Sequence, residues 1–248
     1  MAKKQSLKVI AEFSFEKHFW ARPDYDGSRI GECTDRRIFE AVGRALTEWE
    51  RAEESLHYLY SIVCGVPQSS DGFDNVMRGF GAIENTLGRV AAVRQAGTIY
   101  FDPWWHIAQV DNTFTELLKS VQFGARRRND IAHGKVTRIC TYVQKGSPVD
   151  LDTGYLLLAP RYMSGRTNPF PSSDEGDRWA MSKSQYAYDR NDIRTIADKF
   201  LKLANMLADF ANQSTRYPET AAPHFIKKLL EANPKYSARR KRRALGPP

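Results

Sequence analysis

Residues 34–63 read TDRRIFEAVGRALTEWERAEESLHYLYSIV. Apolar side chains fall at Ile38, Val42, Ala45, Trp49, Ala52, Leu56, Leu59 and Val63, and every step is three or four residues. On a helix of 3.6 residues per turn these positions make one stripe, with charge on the opposite face. Thr34 suits the N-cap, and Cys64-Gly65-Val66-Pro67 ends the pattern. A long amphipathic helix must bury its stripe against something, and other helices are the nearest candidates.

Working outward, the same period returns. A second helix is predicted over 71–95, striped by Phe73, Val76, Phe80, Ile83, Leu87, Val90 and Val93. Gly79, Gly81 and Gly88 lower its intrinsic propensity, so packing has to hold it. Gly97 and Pro103 bracket a break. A third helix over 104–132 carries Ile107, Val110, Phe114, Leu117 and Val121, and its seam continues through Gly124 to Arg128. A fourth is capped by Asp189 or Asn191 and holds Ile193, Ile196, Phe200, Leu203, Leu207 and Phe210 in register.

Between the third and fourth helices the period changes to two. Val136–Val143 and Tyr155–Tyr162 read as strands, and Ser184–Tyr188 as a third short one. Lys145-Gly146-Ser147-Pro148 and Asp152-Thr153-Gly154 read as turns, and Ser164–Gly176 as a loop. The expected architecture is mainly α: a four-helix bundle over 34–213, with residues 135–188 as a small antiparallel β insert. Residues 1–33 read as irregular, with turn signals at Pro23 and Asp26-Gly27. Residues 214–234 form a C-terminal extension with a short helix over 223–232, and 235–248 a disordered tail.

The chain has 248 residues, 42% hydrophobic and 27% charged, which is ordinary for one large globular domain. No run approaches the ~20 apolar residues of a membrane span. The first residues hold lysines without a following apolar run, so no secretory signal is expected. Cys33, Cys64 and Cys140 are odd in number and widely spaced. They form neither a disulfide framework nor a zinc set and suit a reducing cytoplasm. Of the net charge of +8, six units come from Lys235, Arg239, Arg240, Lys241, Arg242 and Arg243, leaving +2 for the rest. Such a tail gathers RNA or another polyanion loosely by counterion release and also resembles a nuclear-import patch.

One heptapeptide carries chemistry: Arg128-Asn129-Asp130-Ile131-Ala132-His133-Gly134, at the end of the third helix. Histidine can take or give a proton near neutral pH, and arginine can hold a phosphate and meet its transition-state charge. The loose pattern, Arg then His a few residues on, is cheap and recurs as Arg51 and His57. With Asn after Arg, roughly one chain in a hundred of this length would match by chance. A helix C-terminus also favours cations through its dipole, which needs no RNA. On a regular helix Arg128 and His133 project about 140° apart, whereas Asn129 and His133 share a face, so Asn129 can orient the imidazole. The Arg and His come together if the helix unwinds at Gly134, or if two copies meet about a two-fold axis.

The heptapeptide resembles the hallmark of the HEPN superfamily (higher eukaryotes and prokaryotes nucleotide-binding domains). Members are helical bundles, commonly dimeric. Many are metal-independent endoribonucleases in toxin–antitoxin, phage-defence, RNA-processing and stress systems. The resemblance implies a homodimer joined through the motif helices, an RNA substrate, and an inhibitory or activating protein partner. It implies Arg128 and His133 as the catalytic pair, with Asn129 and Asp130 in support; the tail residues Arg239, Arg240, Lys241, Arg242 and Arg243 are read as further RNA contacts from their charge alone. The implied reaction is attack of the ribose 2′-OH on the adjacent phosphorus, leaving a 2′,3′-cyclic phosphate and a 5′-OH.

No cofactor is expected, because no Asp, Glu, His or Cys cluster has metal-ligand spacing and no phosphate-binding glycine loop is present. Trp104-Trp105-His106, Tyr186 and Tyr188 suit either base stacking or, more commonly, packing. Glu53-Glu54 suit either a solvated helix face or an approach to His133. The reading that competes with an enzyme is a non-catalytic helical module that binds RNA or a protein partner. A plain structural bundle tethered by its tail is the third.

Overall fold

The stripe of 34–63 forms as its spacing predicts. In a computed structural model of the chain, which describes residues 17–22, 30–66, 68–102, 108–142, 150–159 and 186–215, helix α1 runs Asp35–Val63. Ile38, Ala45, Trp49, Ala52, Leu56, Leu59 and Val63 are all buried. Helices α2 (Phe73–Gly81), α3 (Thr86–Tyr100), α4 (Ala108–His133) and α5 (Arg190–Thr215) follow. Strands β1 (Lys135–Tyr142), β2 (Asp150–Leu158) and β3 (Ala187–Tyr188) lie between α4 and α5. The described chain is mainly helical with one small antiparallel sheet. No described helix is long and apolar enough to cross a membrane.

The single helix expected over 71–95 is two helices. Asn85, in extended conformation, accepts a hydrogen bond from the Gly88 backbone N–H on Oδ1 at 2.7 Å and so starts α3. Arg89 Nε donates to the Ile83 carbonyl at 2.8 Å, satisfying a group that the break releases. Gly97, expected to break the chain, lies buried inside α3, where a Cβ would overlap the Phe114 ring. It is a close-approach glycine rather than a stop. Of the third predicted helix, residues 104–107 fall outside the described residues, and α4 extends one residue further than expected, to His133.

The chain divides into two compact units. Among the described residues, one comprises 54–119 and 205–215. Its core is aromatic. Phe101 meets Phe114 at 5.4 Å between ring centroids, Phe114 meets Phe210 at 5.9 Å, and Tyr60 stacks on Phe80 at 4.3 Å. Leu56, Leu59, Val90, Val93, Leu117 and Leu207 are buried in the same unit. Each such side chain contributes about 1.5–3 kcal/mol of burial.

The other unit comprises 17–53 and 120–204 among the described residues. Trp49 packs on Phe200 at 5.2 Å, and Trp20, from a 3₁₀ turn over Lys17–Trp20, packs on Phe200 at 5.6 Å. The Trp20 indole N–H donates to Ser120 Oγ at 2.9 Å, so its polar edge is satisfied inside the core. Gly124 sits where a Cβ would stand 2.9 Å from the Trp49 ring.

The sheet order is β1-β2-β3, antiparallel throughout. Asp152-Thr153-Gly154 is not the expected turn but lies within β2. Register slips between Ile139 and Cys140, which face Gly154 and Asp152, so Thr153 is the extra residue of a bulge. Gly154, beside the bulge, has φ +84°, a left-handed conformation that glycine adopts without a Cβ penalty. Strand β2 therefore begins at Asp150, before the predicted Tyr155, and ends at Leu158. The segment over 1–33, expected to be irregular, contributes Glu32, which exchanges both backbone hydrogen bonds with Tyr155 at 2.9 and 2.7 Å. The predicted turn at 145–148, the loop at 164–176, the turn signals at Pro23 and Asp26-Gly27, the short helix at 223–232 and the tail lie outside the described residues.

Candidate functional site

The last two turns of α4 divide into an inner and an outer face. Inside are Arg127, 8% exposed, Asp130, 6% exposed, and the buried Ile131. Outside, Asn129, Ala132 and His133 are exposed and Arg128 is half-buried. The seam that the sequence extends to Arg128 therefore turns inward one residue earlier, at Arg127. The reason is charge. A buried guanidinium needs a carboxylate, and Asp130 is on the inner face one turn on.

Asp130 is the hub. Arg127 Nη2 lies 3.1 Å from its Oδ2. Arg22 grips it with both arms, Nε to Oδ2 at 3.0 Å and Nη2 to Oδ1 at 2.7 Å. This is the forked geometry in which arginine binds a carboxylate most strongly. The Tyr188 hydroxyl donates to Oδ2 at 3.0 Å and accepts from Arg127 Nη1 at 3.4 Å. The Tyr186 hydroxyl donates to the Asp130 backbone carbonyl at 2.7 Å, capping one of the last free carbonyls of α4. The Arg22 guanidinium also lies over the Tyr186 ring, 5.2 Å from its centroid.

The electrostatics follow from burial. Desolvation, then the Asp130 charge, pushes the Tyr188 hydroxyl far above the ordinary tyrosine range, so it stays a donor. The hydrogen bond to Asp130 raises the Arg22 guanidinium further above its already high value. Arg127 Nε is buried and has no hydrogen-bond partner among the described residues.

Sequence reasoning and structure part company at several residues. Tyr186 and Tyr188, named as stacking candidates, are buried and turned toward Asp130, so they offer no platform to a base. Asn129 Oδ1 accepts from Arg128 Nη1 at 3.2 Å, and among the described residues no hydrogen bond joins it to His133. Glu53 accepts the Trp49 indole N–H at 3.1 Å, and Glu54 is exposed. The second Arg/His pair is separately employed: Arg51 pairs with Glu48 at 3.0 Å, and His57 sits edge-on to Phe80. Cys33 and Cys64 are exposed free thiols, and Cys140 lies in β1. Arg22 was missed altogether; it stands 108 positions before Asp130, in a stretch without periodicity. Trp104-Trp105-His106 and Arg239–Arg243 lie outside the described residues.

Gly134 stops α4, but not through a left-handed backbone. A Cβ there would stand 2.7 Å from Leu157 and 2.9 Å from the Asp130 carbonyl. The close approach of β2 is what demands glycine. Among the described residues no three His, Cys, Asp or Glu side chains are grouped to hold a metal ion. Comparison with protein-family models, curated proteins and solved structures finds no match.

The outer face of α4 thus presents a half-buried cation beside an exposed amide and imidazole at a helix end, braced from beneath. An exposed imidazole can exchange protons with a bound substrate, and a guanidinium held by a neighbouring amide can receive a phosphate.

Proposed function

We propose that the chain is a HEPN-like endoribonuclease that cleaves RNA without a metal, by 2′-OH attack on the neighbouring phosphorus. The observation that carries this reading is the outward placement of Arg128, Asn129 and His133 on a helix end whose inner face is locked by Asp130. The run of long helices supports a HEPN-like bundle, and the sheet inserted between the last two stands outside that common core. His133 serves as general base and general acid, and Arg128 binds the phosphate and its developing charge. On a regular helix these two side chains diverge by about 140°, so the active species is a homodimer in which motif helices meet about a two-fold axis. The small Ala132, between Arg128 and His133 on the exposed face, lets two such helices approach. The setting is cytoplasmic, in defence, toxin-type or RNA-processing systems, with an activating or inhibitory protein partner.

One observation favours a second reading. Arg128 is engaged by Asn129, its own neighbour, which fits a non-catalytic module that binds RNA or a protein through the same face. The deciding experiment is cleavage of end-labelled RNA in excess EDTA by the native protein and by His133→Ala. The ribonuclease reading expects cyclic-phosphate ends from the native protein and none from the variant. Equal behaviour of the two proteins would reject it in favour of the module.

A further inference from the structure

Helix α4 carries three consecutive arginines, and each has a different environment. Arg127 is buried against Asp130. Arg128 is half-buried and donates to Asn129. Arg126 is exposed and has no carboxylate partner among the described residues; its guanidinium rests over the Phe123 ring, 5.5 Å from the centroid. An exposed cation without a carboxylate partner among the described residues is available to an anion from outside.

Its position matters more than its charge. At 100° per residue, Gln122, Arg126, Asn129 and His133 fall within about 60° of arc on one side of the helix. Arg126 and His133 are about 20° apart in projection and about 10 Å apart along the axis. Arg128, the motif arginine, is about 140° round from His133. Within one chain, the arginine in line with His133 is therefore Arg126. Along its own helix and the strand that follows, opposing charge is scarce. Between Leu117 and Ile139 the sequence holds one acid, Asp130, which faces inward and is held by Arg22 and Arg127. Lys135, the first residue of β1, is also exposed.

We propose that Arg126 is an RNA-phosphate contact, and that the bound strand runs along the outer face of α4 from His133 toward Gln122. The polyanion is named as RNA on the strength of the ribonuclease reading. Arg126 binds a phosphate away from the scissile one, so it contributes affinity for the strand and does not touch the reacting atoms. Phe123 holds the guanidinium in place from beneath.

The test is binding of a short fluorescein-labelled single-stranded oligoribonucleotide with 2′-O-methyl riboses, read by fluorescence anisotropy over a salt series. Such an RNA lacks the attacking hydroxyl, so binding is measured on the full chain whether or not it cleaves. Arg126→Gln keeps a good helix former at an exposed position, and circular dichroism checks that the fold is retained. The expected result is a roughly three- to tenfold weaker affinity at low salt and a log–log salt slope shallower by about 0.7, one phosphate contact on a single strand. Arg126→Lys should restore the slope. Arg194→Gln, which removes an exposed arginine on α5, should leave it unchanged. Equal slopes for the native protein and Arg126→Gln would overturn the proposal, as would an equal loss in Arg194→Gln. RNA cleavage with unaltered Arg126→Gln binding would sink the strand path alone. Binding that depends on Arg126 without any cleavage would sink the ribonuclease reading and leave the path standing.

Discussion

Asp130→Ala removes the carboxylate that neutralises Arg127, and the structure sets the size of the effect. The side chains of Arg127 and Asp130 are 9% and 7% exposed, so neither recovers much solvation when its partner is lost. Breaking a buried pair from one side costs about 3–5 kcal/mol, because the remaining charge stays desolvated. The Arg22 pair adds little to that figure, since Arg22 is 38% exposed and water can replace the carboxylate. Against a total stability of about 5–15 kcal/mol, the variant should unfold at clearly lower urea and melt about 10 °C lower. Urea unfolding followed by far-UV circular dichroism and by tryptophan fluorescence measures this, with Trp20 and Trp49 reporting on the unit that holds the pair. The companion variant is Arg127→Met with Asp130→Leu, which leaves no buried charge behind. It should recover most of the loss, since apolar replacements of a buried pair are often neutral. A loss below about 1 kcal/mol in Asp130→Ala would refute the reasoning. So would a double variant no more stable than the single one.

Two further outcomes follow from the same geometry. Gly97→Ala forces a methyl group into the Phe114 ring and should cost about 1–3 kcal/mol, read as a lower urea midpoint with an unchanged slope; wild-type stability in that variant would contradict the packing described. Tyr188 keeps its proton in the fold while an unfolded tyrosine ionises near pH 10. Stability should therefore be intact below about pH 10 and fall as pH rises above it, by at most about 1.4 kcal/mol per pH unit from this group. Tyr100, raised by burial, acts in the same direction, and Lys199, lowered by burial, acts in the opposite one. Tyr188→Phe should flatten the alkaline decline, and an unchanged decline would show that the hydroxyl is not a source of it.

How much was legible depends on how far each feature is local. Helix α1 was readable because its stripe is unbroken from Ile38 to Val63, and of the two caps the sequence offers for α5, Asp189 or Asn191, the structure uses Asp189, a contact between near neighbours. Its Oδ1 accepts from the Asp192 N–H at 2.8 Å, and Asp192 returns the bond to the Asp189 N–H at 3.1 Å. The break before α3 was missed because Phe80, Ile83 and Leu87 keep helical spacing across it, and a pattern of spacing does not see an asparagine cap. The off-by-one at Arg127 has a similar cause. Between Val121 and Ile131 the strongly apolar residue is Phe123, and it lies off the seam, so periodicity loses its phase there. What fixes the rotation is a set of partners brought by Arg22 and Tyr188, and neither is visible in the spacing of α4 itself.

That rotation is also what makes the motif intelligible. Arg127 and Asp130 are one turn apart and face the core; Asn129 and His133 are one turn apart and face solvent. Turning the helix by one residue, about 100°, would place Arg127 in water in either sense, and in the sense that buries Arg126 it would also bring His133 toward the core. The Asp130 cluster therefore sets the direction of His133 without touching it, and Tyr186 and Gly134 fix where the helix ends. The Tyr186 hydroxyl occupies the Asp130 carbonyl, and glycine at 134 lets Leu157 close against the final turn. Activity and stability should then separate cleanly along α4. Inner-face substitutions act first on folding. Outer-face substitutions at exposed positions change stability by no more than about 0.5 kcal/mol and, on the proposed ribonuclease reading, act on RNA alone.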